Sequence, residues 1–135
     1  MRYRFLPHTA DVKFQAFGKS LDEAFENSAL ALKEVIAGKI KIKAKITKKI
    51  QVKGKDNCAL LYNFLEEFLF LLDAEEFLVS KIRSIEVGDG KISCVVSGDK
   101  AENYVFTNDV KAITYNEMVI GEGHGKYFCE VVLDV

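Results

Sequence analysis

The apolar positions of this chain follow two rhythms, one of two residues and one of three to four, and the switches between them mark the elements. Residues 2–7 read as a short strand ending at Pro7, the only proline. The ring pushes Leu6 toward extended backbone. His8-Thr9-Ala10-Asp11 is a polar break. Val12, Phe14 and Ala16 then alternate with Lys13 and Gln15, the pattern of a half-buried strand. After Gly18 the spacing becomes helical, through Leu21, Ala24, Phe25, Ala29, Leu32, Val35 and Ile36. Ser20 fits the N-cap, with Glu23 completing a capping box, and Gly38 fits the stop.

Residues 39–55 return to a period of two. Ile40, Ile42, Ala44, Ile46, Ile50 and Val52 share one face, and the other is almost all lysine. Lys48 interrupts the apolar face and predicts a bend or bulge there. A second helix, from about Asn57 to Glu75, is apolar on most sides and so belongs deep in the fold. Segments 78–87 and 91–98 read as a hairpin across Gly88-Asp89-Gly90, and 99–109 as a polar loop. Segments 110–120 and 126–135 read as a second hairpin around Gly121-Glu122-Gly123-His124-Gly125. The order β-β-α-β-α-β-β-β-β predicts an α+β fold, two helices packed on a mostly antiparallel or mixed β-sheet.

Composition narrows the function. A chain of 135 residues with 49% apolar content suits one domain, 1–135, with a real core. Nineteen basic against 20 acidic residues leave a net charge of -1. That balance argues against a protein that grips nucleic acid by itself through unopposed Lys and Arg, so any RNA is expected to arrive on a partner. Cys58, Cys94 and Cys129 form no CxxC pair, which argues against zinc and for small core residues in a reducing cytosol. Met1-Arg2-Tyr3-Arg4 does not open a signal peptide, and the apolar run Ala59 to Leu72 is too short for a bilayer. The expectation is a soluble cytoplasmic protein with no membrane contact.

Three features bear on chemistry. The lysine face is either a solvated edge strand, where Lys discourages aggregation, or a docking surface for RNA or an acidic partner. Gly121, Gly123 and Gly125 are spaced unlike GxGxxG and join strand to strand, so they read as a hairpin rather than a phosphate loop, with His124 exposed at its tip. The third feature pairs the two ends of the chain. His8 and Asp11 lie in the first polar break, and Asp134 lies in the apolar close Val131-Val132-Leu133-Asp134-Val135. A carboxylate there is costly unless paired, bound to a cation or frayed into water. If Asp11 and Asp134 converge, they suit a hard divalent cation, Mg2+, Mn2+ or Ca2+. Lys111 is either an exposed strand lysine or their compensating charge.

These same residues resemble the archease family. The likeness runs through His8-Thr9-Ala10-Asp11-Val12 with Gly18-Lys19-Ser20-Leu21-Asp22-Glu23-Ala24-Phe25-Glu26-Asn27, through Val110-Lys111-Ala112-Ile113-Thr114-Tyr115, and through the close at Asp134-Val135. It departs at Asn116, where relatives often carry His. The resemblance implies an accessory protein, not an enzyme, that activates the tRNA-splicing RNA ligase RtcB. That ligase takes a guanylyl group from GTP and joins RNA ends. The resemblance further implies metal ligation by Asp11, Asp134 and the oxygens of Val135, an essential cationic role for Lys111, and a neighbouring role for His8. On this reading tRNA is met only through the ligase. The alternative is a chaperone-like modulator of tRNA-modifying enzymes, such as a tRNA methyltransferase. An enzyme using Asp11 and His8 as acid and base would lack any recognisable nucleophile motif.

Overall fold

A computed structural model describes all residues, 1–135. The element order is the expected one: β1 (Tyr3–Leu6), β2 (Val12–Gly18), α1 (Leu21–Ala37), β3 (Ile46–Lys53), α2 (Asn57–Glu75), β4 (Phe77–Gly88), β5 (Lys91–Lys100), β6 (Ala112–Gly123) and β7 (Lys126–Asp134). The fold is α+β. Its strands, however, divide between two sheets rather than forming one. The orders are β1-β2-β7-β6 and β3-β5-β4, and every pairing is antiparallel.

The helices join the sheets. Helix α1 lies against β2 and β7 and also touches β4, while α2 lies against β6, β3 and β4. Their buried faces and those of both sheets merge into one cluster of 31 buried residues centred on Phe14, Phe25, Phe64 and Leu65. Helix α1 begins where Ser20 accepts from the Glu23 N–H, and the Glu23 carboxylate reaches back to the N–H of Lys19. Helix α2 begins at Asp56, whose carboxylate accepts from the Ala59 N–H.

Three expectations need correction. The regular strand covers only 46–53 of the segment 39–55. Upstream of it, the Lys43 N–H donates to the Tyr104 hydroxyl, and Ser80 donates to the Ile42 carbonyl, so loop contacts replace the ladder. Nor does the strand bend at Lys48, which stays in register with Val96. Its ammonium leaves the core edge by pairing with Glu75 and lying over the Phe77 ring. The second hairpin is also tighter than 121–125. Its turn is His124-Gly125 alone, both in left-handed backbone (φ 54° and 73°), the requirement of a type I′ turn.

Candidate functional site

Strand pairing gathers the residues that carry the sequence resemblance. Val12 pairs with Leu133, so Asp11 and Asp134 flank the same cross-strand pair. On the other side of β7, Ala112 pairs with Asp134, and the Lys111 N–H donates to the Asp134 carbonyl at 2.7 Å. Three strands that meet only in the folded chain therefore bring Asp11, Lys111, Asp134 and Val135 to one end of the β1-β2-β7-β6 sheet. Asp134 and Lys111 are exposed there, and Asp11 and Val135 are half-buried.

His8 joins this end through an irregular loop. Ala10 takes left-handed backbone at φ 63°, a conformation that costs a residue with a Cβ about 1 kcal/mol. His8 Nδ1 lies 3.7 Å from Asp11 Oδ2, too far for a hydrogen bond. That nitrogen is buried and has no hydrogen-bond partner. On its other side Nε2 lies 3.4 Å from Glu117 Oε1, which places the imidazole between two carboxylates.

Glu117 is the residue that sequence reasoning missed. It sits in a wide bulge of β6: Thr114 pairs with Val132 and Val119 with Glu130, so residues 115–118 stand opposite Val131 alone. Only the length of segment 110–120 hinted at it, since a regular strand would pair residue for residue with β7. The bulge also carries Asn116, which is exposed and lines a cleft of about 450 Å³ with Asp56, Cys58, Tyr115 and Met118. Further along the sheet, Lys13 pairs with Glu130 at 3.3 Å, and Gln15 donates to the same carboxylate at 2.8 Å.

Asp11, Asp134 and the backbone oxygen of Val135 offer oxygen donors at the sheet end, with His8 Nδ1 beside Asp11. That chemistry suits a hard cation which keeps several waters. Nowhere do three or more His, Cys, Asp or Glu side chains cluster closely enough to hold a metal ion. A cation here would thus take at most two side-chain ligands from this chain and complete its shell with backbone oxygen, water or another molecule. Of the remaining features, His124 is exposed at the hairpin tip, and no helix is long and apolar enough to cross a membrane.

The model of the archease protein family matches residues 3–135. The curated archease of Methanosarcina mazei is 35% identical over 141 aligned positions, covering 99% of this chain and 96% of that protein. The archease of Pyrococcus furiosus is 40% identical, covering 95% of this chain and 94% of that protein. The solution structure of Methanobacterium thermoautotrophicum protein 1598 superposes with a TM-score of 0.83 at 33% identity, covering 99% of each chain. Sequence and fold agree over nearly the whole length, and the chain belongs to the archease family.

Proposed function

We propose that this protein is an accessory factor that activates an RtcB-type tRNA-splicing RNA ligase by promoting its guanylylation and turnover. The reading is carried by one observation. The pairings of Val12 with Leu133 and of Ala112 with Asp134 gather two carboxylates, the backbone of Val135 and a lysine at one sheet end. A docked partner can reach such an end without unfolding anything.

Asp11, Asp134 and the backbone oxygen of Val135 would hold the divalent ion, with Ca2+, Mg2+ and Mn2+ all compatible with an oxygen set. Such an ion supplies charge stabilisation to phosphate oxygens. Lys111, whose backbone N–H donates to the Asp134 carbonyl, would supply a cation from the same sheet end. His8, held against Glu117, walls Asp11 on one side.

The test is a multiple-turnover ligation assay with the cognate ligase, with and without this protein. Purified Asp11→Ala and Asp134→Ala proteins are expected to fold normally by circular dichroism, yet to lose most of the stimulation. Full stimulation by both variants overturns the carboxylate role. The protein alone, given GTP and RNA, is expected to show no turnover. The chaperone-like alternative wants a contiguous apolar surface. The exposed large apolar residues are instead spread over the molecule, with Phe5 on β1, Phe70 on α2, Val105 in the segment before β6, and Tyr115 and Val119 on β6.

A further inference from the structure

The net charge of -1 conceals an uneven distribution. The β3-β5-β4 sheet turns Ile50, Ile92, Cys94 and Val96 into the core and leaves the Lys91–Val95 part of its other face open to solvent, while Ser97 and Asp99 on that face are buried. Lys49 and Lys53 on β3, Lys91 on β5, and Lys81 and Arg83 on β4 are exposed on that outer face, and Glu86 is its one exposed carboxylate. None of these five cations belongs to an ion pair. Arg83 lies across the face, where its Nε donates to the Ser97 hydroxyl. Lys53 stands directly opposite Lys91. Like charges in that position destabilise a free sheet, and an anion laid across both relieves the repulsion.

The rest of the face selects among anions. A shallow groove of about 240 Å³ runs between Lys49, Gln51, Ser84, Glu86, Ser93 and Val95. Two hydroxyls, an amide, the Lys49 ammonium and the Glu86 carboxylate make its polar lining, and Val95, Ile50 and Cys94 are its apolar members. Protein partners bind through buried apolar or aromatic anchors, and this face has none to offer. Interfaces with nucleic acid are polar, positive and wet, and most of their hydrogen bonds go to phosphate and sugar. The face carries no aromatic side chain, so it has no platform for stacking bases and no means of reading sequence.

We propose that the outer face of the β3-β5-β4 sheet is a sequence-independent docking surface for the phosphate backbone of RNA. The choice of RNA among polyphosphates rests on the function proposed above. The surface lies on a different sheet from Asp11 and Asp134. It therefore gives this chain a direct, weak contact with RNA where the overall charge balance predicts none.

Fluorescence anisotropy of a labelled RNA duplex and a labelled single strand, from about 25 to 200 mM salt, tests this with the full-length protein. The unmodified chain is expected to bind both, with log affinity falling against log salt at a slope of about -3 to -4. The triple variant Lys49→Gln/Lys53→Gln/Lys91→Gln, which alters only exposed side chains, is expected to bind at least about tenfold more weakly, with a slope shallower by about 2–3. A control with the same charge change, Lys19→Gln/Lys39→Gln/Lys126→Gln, is expected to bind as the unmodified protein does. No binding at the lowest salt overturns the proposal. So does equal binding by the triple variant, equal loss in the control, or displacement of RNA by polyglutamate at equal charge, which would mark an acidic protein partner. Guanylylation of the ligase measured without RNA separates the two claims. The triple variant should still stimulate it, and failure of the unmodified protein there defeats the activator reading alone.

Discussion

Asp99 is only 4% exposed, yet it is held as a carboxylate. The Tyr104 hydroxyl donates to it at 2.8 Å, the Lys100 N–H at 2.8 Å and the Asn103 amide at 3.3 Å. The Tyr104 bond comes first among the causes that hold its carboxyl below the ordinary value of 3.8. A depressed native pKa gives stability that is present above the unfolded value and is lost as pH falls through the native one. Asp99→Asn should therefore lower the urea midpoint at neutral pH, and its deficit should narrow steadily as pH drops below about 4. A deficit that stays constant across the acid range would refute the assignment. Next to it, a Cβ on Gly98 would fall 2.1 Å from the Leu78 carbonyl oxygen and 2.8 Å from the Phe77 ring. Gly98→Ala should cost about 1–3 kcal/mol in urea unfolding. Gly88→Ala, with nothing within 4 Å of the new carbon, is the matched control and should shift little. At this scale the sequence was only partly legible. The pattern marked Lys48 as an anomaly on the apolar face, but Glu75 and Phe77, which accommodate it, arrive from another helix end and another strand. Glu117 beside His8 lies 109 positions away, beyond any spacing rule.

Both helices were legible as elements, because a 3.6-residue period and a capping side chain are local properties. Helix α2 matches its expected bounds, and Asp56 fixes the start by accepting the Ala59 N–H at 2.8 Å. Asp56→Ala should destabilise the protein by about 1 kcal/mol, with an unchanged denaturant slope. A loss below a few tenths of a kcal/mol would mean that water replaces the cap. Strand partners were harder to read. A period of two states which residues share a face but not which strand lies beside them. One sheet and two sheets thus write the same pattern in sequence. The β6 bulge is hidden for a related reason: Met118 is buried on a segment whose neighbours 115–117 are all exposed, so its alternation fails where the pairing does.

Across the whole molecule, one question is whether the two sheets behave as one body. The buried cluster includes side chains from both, and the helices touch both, so cooperative unfolding is the physical expectation. The cysteines sit well to report it. Cys94 belongs to β5 and Cys129 to β7, one in each sheet. Burial pushes each thiol up to about 12, so in the native state neither offers appreciable thiolate at pH 8. Cys58, half-buried at the start of α2, is also raised by burial, with Asp56 adding to the effect. Iodoacetamide at pH 8 should modify Cys58 slowly in the folded protein. It should reach Cys94 and Cys129 only through opening, and at one common rate as urea is raised. Peptide mass analysis of timed samples measures all three sites together. If Cys94 labels well ahead of Cys129, the β3-β5-β4 sheet opens by itself, and residues 1–135 are two cooperative units rather than one domain. A common rate would tie the basic outer face and the carboxylate-bearing sheet end to a single rigid frame. Each could then be mutated without displacing the other, which both binding and stimulation assays require.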